Sequence, residues 1–213
     1  MSQKRVVIFS GGELHPQYIE EIQPGDFIIG ADKGALFLTQ HGIKPDLAVG
    51  DFDSISTQEL EHVRMESRKI VECDPVDKDL TDTELAFKMA FREQPDFILL
   101  IGGTGTRMDH TLANIQMLNR ALQHHIACAI MDQNNYITLT GSKIEVLDRG
   151  YKYISLLPIT LEVTGITLEG FQYPLENATL KMGESLGISN ALLESFGIVT
   201  VEDGLLLIIQ SRD

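Results

Sequence analysis

The chain contains no tryptophan and only two cysteines, Cys73 and Cys128, in 213 residues. Two thiols cannot staple a fold of this size, so a disulfide scaffold is excluded and a reducing, cytoplasmic setting is expected. Positive charge is also scarce. Seventeen Lys and Arg stand against 31 Asp and Glu, a net charge of −14. Phosphate backbones are held by clustered cations, so nucleic acid is not the expected partner. A negative field still admits a cationic ligand, or an anion that arrives with a divalent metal. Long apolar runs are missing too. Residues 97–101 and 205–209 fall far short of the roughly 20 residues of a membrane span, so no membrane role is expected. The four apolar residues 6–9 after Lys4-Arg5 are too few for the core of a signal peptide.

What is present reads as two folded parts. With 43% hydrophobic and 23% charged residues, the composition is that of a globular protein with a real core. Up to the junction near 132–135, short apolar runs alternate with helix-like stretches. Strands are expected at 6–10, 27–31, 47–50, 69–72, 97–101 and 126–131, and helices at 33–40, 57–66, 83–92 and 111–123. The last helix would bury Leu112, Ile115, Leu118 and Leu122 on one face. Several strands are apolar throughout, as strands covered on both faces are. Strand-helix alternation implies a mostly parallel sheet flanked by helices. Beyond 135 the helices stop and glycine turns recur. Asp203-Gly204, between apolar runs at 198–201 and 205–209, is a two-residue hairpin signal. The expected architecture is α/β over residues 1–134, followed by an all-β part over 135–213, a small sandwich.

Acidic motifs sit where strands end. In Gly50-Asp51-Phe52-Asp53-Ser54, directly after a strand, an extended chain would turn Asp51 and Asp53 to one side and Phe52 to the other. Two bare carboxylates about 5 Å apart repel by roughly 3 kcal/mol at an effective dielectric of about 20. Mg²⁺ with phosphate oxygens relieves such repulsion, whereas an acidic turn is the plainer explanation. In Asp77-Lys78-Asp79-Leu80-Thr81-Asp82-Thr83-Glu84, Thr81 and Glu84 have capping-box spacing, so Asp82 would open a helix. Lys78 and Asp79 precede that helix and face a cleft in this reading. Gly102-Gly103-Thr104-Gly105-Thr106-Arg107-Met108-Asp109-His110 joins a strand to a helix, where glycines admit a phosphate and the helix N-terminus favours it. Arg107 would add a fork of donors, and His110 is a base or a structural residue. The loop has neither the Gly-Lys-Ser/Thr of a P-loop nor a third dinucleotide glycine. Ser10-Gly11-Gly12 and Gly30-Ala31-Asp32-Lys33-Gly34 end two more strands on the same rim. Asp32 is a ribose or metal contact, or simply a helix cap. Cys128 is expected in the core.

Taken in order, Ala31-Asp32-Lys33-Gly34, Pro45-Asp46 with Gly50–Ser54, Asp77–Asp82 and Gly105–His110 resemble the motifs of the thiamine pyrophosphokinase family. Gly183-Glu184-Ser185-Leu186-Gly187-Ile188-Ser189-Asn190 resembles that family's thiamine-side motif. The resemblance covers nearly the whole chain. It implies an α/β domain that binds ATP and Mg²⁺, a β-sandwich that binds thiamine and dimerises, and a homodimer with active sites between subunits. It implies transfer of the β,γ-pyrophosphoryl group of ATP to the hydroxyethyl group of thiamine, giving thiamine diphosphate and AMP. By motif position, Asp51, Asp53 and Asp82 would hold the metal. Asp32, Lys78, Gly103, Thr104, Gly105 and Arg107 would line the nucleotide. Asp79, Arg107 and Asp109 would be catalytic, with Asp79 and Asp109 the candidate bases. Ser185, Ser189 and Asn190 would meet thiamine. Lys33 stands where many members have glycine. Where members stack thiamine on tryptophan, Tyr173, Phe171 or Phe196 would substitute, or the contact would be aliphatic. Two rival readings remain from the residues alone: a metal-dependent nucleotide phosphohydrolase, in which AMP would form without thiamine, and a nucleotide-sensing module that binds without turnover.

Overall fold

A computed structural model describes residues 3–72 and 80–213. Cys73, Asp77, Lys78 and Asp79 lie outside the described residues. The chain divides into two compact units, Met1–Asp132 and Gln133–Asp213.

Among the described residues, the first unit is built on six parallel strands: β1 (Arg5–Phe9), β2 (Phe27–Ala31), β3 (Leu47–Gly50), β4 (Ile70–Glu72), β5 (Phe97–Ile101) and β6 (Ala127–Met131). Their order across the sheet is β4-β3-β2-β1-β5-β6. Four helices join them: α1 (Lys33–Gln40), α2 (Thr57–Glu66), α3 (Asp82–Arg92) and α4 (Met108–Gln123). A short 3-10 turn, Pro16–Glu21, lies between β1 and β2. Val6, Val7, Ile8 and Phe9 of β1 are wholly buried, as the continuous apolar run requires of a strand covered on both faces. The chain steps outward from β1 to β4, then α3 carries it back so that β5 pairs with β1. With right-handed crossovers, that reversal changes which face of the sheet the helices cover. Accordingly α1 packs with α2, and α3 with α4. The reversal leaves a switch point between β1 and β5, where open α/β sheets bind ligands at the carboxyl ends of the strands.

Helix α4 differs from its expected form in two ways. It starts at Met108 rather than 111, because nothing between Arg107 and Thr111 breaks a helix and Asp109 suits the first turn. Its buried face is Asn114, Met117, Leu118 and Ala121, an i, i+3, i+4, i+7 set that includes a polar member. Leu112 is exposed. Cys128 on β6 is a half-buried free cysteine whose thiol is pushed upward by burial.

The second unit holds two antiparallel sheets. One has the order β7 (Asn135–Thr140), β13 (Leu206–Ser211), β9 (Tyr153–Pro158). The other runs β11 (Ala178–Lys181), β10 (Glu162–Glu169), β12 (Phe196–Thr200), β8 (Ile144–Leu147). They share one core, with Ile154, Leu156, Leu206 and Ile208 from the first sheet and Val163, Ile166, Leu180 and Val199 from the second. The fold is thus α/β followed by an all-β sandwich. The expected Asp203-Gly204 hairpin is not formed. β12 pairs with β10 and β8, while β13 pairs with β7 and β9. Only Gly204 of the two has positive φ. The Asp203 carbonyl accepts from Thr164 N–H (2.9 Å), and Glu202 N–H donates back to Thr164 (3.1 Å). This capture by β10 turns the segment into a passage between sheets.

Candidate active site

At the switch point, the ends of β1, β2 and β5 and the first turns of α1, α3 and α4 enclose a cleft of about 370 Å³. Its floor is backbone. Gly12 N–H donates to Gly102 O (2.9 Å) and Glu13 N–H to Thr104 O (3.1 Å). A Cβ on Gly12 would stand 2.2 Å from the Thr104 oxygen, so only glycine lets these two loops meet. Three side-chain hydrogen bonds pin the floor. Thr104 Oγ1 donates to Asp132 Oδ2 (2.7 Å). Asn114 Nδ2 donates to Gly103 O (2.7 Å). The hydroxyls of Ser10 and Thr83 share a 2.6 Å hydrogen bond. The helix N-termini give the cleft a positive lean that favours an anion, and Lys33 and Arg107 line it as well.

The sequence candidates separate here. Gly103, Thr104, Gly105 and Arg107 line the cleft, as do Asp32 and Asp82. Thr81 caps α3 by accepting from Glu84 N–H (3.2 Å). The Glu84 carboxylate instead pairs with Arg120 of α4, so the expected box is half made and Asp82 sits in the first turn beside the cleft. The sequence pattern missed Asn114. The only signal was a polar residue on what is otherwise the buried face of α4.

Asp32 holds the N-cap position of α1 but does not cap it. Its backbone is at φ 50°, ψ −116°, a sparsely populated region for a side-chain-bearing residue. Its Oδ2 accepts from the Ser54 hydroxyl, and its Oδ1 is buried with no hydrogen-bond partner among the described residues. The capping explanation therefore fails. Gly50, at φ 143°, gives the room around it. A Cβ there would stand 3.2 Å from Asp82 Oδ1 and 3.4 Å from Asp32 N, so the Asp82 carboxylate and the Asp32 backbone both border this glycine.

The Asp51–Asp53 segment is not extended. Phe52 adopts φ 56° and is buried against Ala35, Ala48 and Val63. Asp53 N–H donates to Asp51 Oδ1 (3.1 Å). The expectation that strand alternation aims both carboxylates together is overturned by the buried aromatic ring, which bends the chain at Phe52. Asp51 is half-buried and Asp53 exposed. Among the described residues, no group of three or more His, Cys, Asp or Glu is set to enclose a metal ion.

Arg107 and Asp109 pair at the mouth. Arg107 Nε and Nη2 donate to the Asp109 carboxylate at 3.2 and 2.5 Å. That hydrogen bonding holds the Asp109 carboxyl below its ordinary range and raises the guanidinium. Both side chains are largely exposed.

In the second unit, Ser185 is exposed, with its carbonyl accepting from Ile188 N–H (3.1 Å). Ser189 is exposed at φ 59° and its N–H donates to Ser155 Oγ (3.1 Å). Asn190 is buried. Its Oδ1 accepts from Tyr173 N–H (3.0 Å) and Ala191 N–H (2.8 Å), and its Nδ2 donates to Tyr173 O (2.7 Å). Two of these hydrogen bonds hold the backbone of Tyr173, and the third turns the chain at Ala191. Of the aromatic candidates, Tyr173 and Phe196 are exposed, whereas Phe171 belongs to the core.

Residues 18–130 match the family model of the thiamin pyrophosphokinase catalytic domain, and residues 130–206 that of the thiamin pyrophosphokinase vitamin B1 binding domain. The chain is 36% identical to thiamine pyrophosphokinase of Bacillus subtilis (strain 168), over 99% of this chain and 100% of that protein. It superposes on the crystal structure of the Bacillus subtilis enzyme with a TM-score of 0.92 at 35% identity, covering 99% of this chain and 100% of that one. For thiamin pyrophosphokinase of Geobacillus thermodenitrificans the TM-score is 0.88 at 31% identity, with 98% of each chain covered. Yeast thiamin pyrophosphokinase shares the fold, at a TM-score of 0.82 and 15% identity, over 100% of this chain and 87% of that one.

Proposed function

The chain belongs to the thiamine pyrophosphokinase family, and on that premise we propose how its own residues transfer pyrophosphate from ATP to thiamine. The observation that carries the proposal is the cleft at the β1/β5 switch point, with a glycine floor, helix N-termini and acids at one rim. In this reading the triphosphate lies on the backbone of Gly103, Thr104 and Gly105, with Arg107 as the charged clamp. The thiamine hydroxyl oxygen bonds to the β-phosphorus as the bond from that phosphorus to the α,β-bridging oxygen breaks. AMP leaves with the bridging oxygen, and the hydroxyl proton passes to a base. The protein aligns the hydroxyl with that bond and stabilises the charge that shifts onto AMP.

A divalent metal fits the donors present. The acids are hard oxygen ligands, Asp32 Oδ1 is buried and has no hydrogen-bond partner among the described residues, and Asp82 Oδ1 lies beside Gly50, which the Asp32 backbone also borders. Mg²⁺ is normally held by one or two carboxylates together with substrate phosphates and water, so a complete protein cage is not required. Asp82, Asp51 and Asp53 are the proposed holders, with Asp32 beside them. Mg²⁺ would neutralise charge on the phosphates when bound. Asp109, both of whose carboxylate oxygens accept from Arg107, serves to orient the guanidinium. Asp79 is then the sequence candidate for the base, and Lys78 a phosphate contact. Ser185 and Ser189 face thiamine across a homodimer interface, with Asn190 holding the Tyr173 loop in shape. A cytoplasmic setting, suited to a chain with few cysteines, completes the reading.

Incubation with ATP, Mg²⁺ and thiamine, followed by chromatography, tests it. AMP and thiamine diphosphate should appear together and only when thiamine is present. AMP without thiamine would favour the phosphohydrolase, and nucleotide binding without turnover the sensing module.

A further inference from the structure

We propose that Ser54 is a positioning residue of the nucleotide site, acting through Asp32. The inference rests on the reading above, in which Asp32 stands beside the metal and the triphosphate. A carboxylate turns readily about its last torsion, a broad two-fold rotor. Untethered, the Asp32 carboxylate would present either oxygen. The Ser54 hydroxyl donates to Oδ2 and leaves Oδ1 buried, with no hydrogen-bond partner among the described residues, at a residue that lines the cleft. One oxygen is held and the other reserved.

The hydroxyl is itself delivered by a tethered loop. Two residues before it, Phe52 is buried against Ala35, in the first turns of the helix that Asp32 precedes. Two residues after it, Ser56 opens α2 with a full capping box. Glu59 N–H donates to Ser56 Oγ (3.3 Å), and Ser56 N–H to Glu59 Oε2 (2.8 Å). The backbone of Asp32 is fixed as well, its N–H donating to Val49 O (2.9 Å) and its carbonyl accepting from Ala35 N–H (3.0 Å). A strained φ persists only where surroundings over-determine it, and such places concentrate at functional sites. A serine added to that frame, yet engaged in neither cap, directs its hydroxyl to Asp32.

The test measures affinity for a non-hydrolysable ATP analogue with Mg²⁺ by calorimetry, without thiamine, beside steady-state kinetics. Ser54→Ala should weaken analogue binding by about tenfold, the scale of one hydrogen bond to a charged group. The KM for ATP should rise, while the KM for thiamine and the melting temperature stay at wild-type values. Ser54→Thr, which keeps the hydroxyl, should recover most of the affinity. In an Asp32→Asn background, Ser54→Ala should add nothing, because coupled residues are non-additive. Wild-type affinity in Ser54→Ala, no recovery by threonine, or a full additional loss on top of Asp32→Asn would each overturn the proposal. Wild-type affinity in Asp32→Asn would strike the site reading itself and the Ser54 proposal with it.

Discussion

Replacing Asn114 with leucine tests whether the glycine floor is held from behind. Asn114 is 6% exposed, and its Nδ2 donates to the carbonyl of buried Gly103 at 2.7 Å. Leucine has nearly the same size and no donor. The abandoned carbonyl costs about 1–3 kcal/mol, and the better helix propensity of leucine returns about 0.5 kcal/mol. At about 2–4 °C per kcal/mol for a chain of this length, the melting temperature should fall by roughly 1–10 °C. Gly103 is also expected to carry phosphate contacts, so the KM for ATP should rise more than the KM for thiamine. Asn114→Asp keeps the shape but sets a carboxylate against a carbonyl and should be worse on both measures. Scanning calorimetry and initial-rate kinetics on the three proteins decide the matter. An Asn114→Leu protein that melts and binds ATP like wild type would show that the loop stands without this support.

Arg107→Lys keeps the charge but loses the fork that now grips Asp109, so kcat/KM for ATP should fall about tenfold or more while the KM for thiamine holds. Unchanged kinetics would remove Arg107 from the phosphates. Gly50→Ala combines a φ of 143° with a Cβ 3.2 Å from Asp82 Oδ1, so it should cost about 1–3 kcal/mol and weaken Mg²⁺-dependent nucleotide binding, read by thermal melting and calorimetry. Ser56 holds the Glu59 carboxyl below its ordinary value through hydrogen bonds. A depressed folded pKa adds stability that is present above the unfolded pKa and lost as pH falls through the folded one. The melting difference between wild type and Ser56→Ala should therefore narrow in acid. Asn190→Ala should lower the melting temperature because Tyr173 loses both its hydrogen bonds to this side chain and Ala191 N–H loses its acceptor. An unaltered melting curve would free Asn190 for a purely ligand-facing role.

Apolar runs bounded by turn residues located β2, β3 and β5 within the chain, and the periodic stretches α1 and α2 coincide with their expected bounds. Local pattern suffices there because burial and propensity agree. Where it failed, a partner distant in sequence decided. Asp203-Gly204 has hairpin chemistry, but Thr164 captures its backbone. Asp51-Phe52-Asp53 alternates like a strand, but the ring of Phe52 finds the core only by bending the chain. Asp32 has the composition of a cap, but Ser54 occupies its carboxylate. Asn114 looks like a surface amide until the carbonyl of Gly103 is placed above it. The candidate site was legible as motifs at strand ends. The contacts that aim those motifs join residues far apart in the chain and leave no local trace.

The strand order has a consequence for how the molecule acquires its cleft. β1 is made first, yet its neighbour across the switch point is β5, with Arg5 lying beside Phe97. The span between them includes three strands and three helices. Closing so long a loop is slow and is rewarded only at the end. A ribosome-bound chain that has not yet released β5 has half a cleft and cannot hold a nucleotide as the finished protein does. Nucleotide should then act as a late clasp, raising the population of the completed sheet by mass action. Amide exchange should register this as slower opening of β1 and β5 together, more than of the outer strand β4.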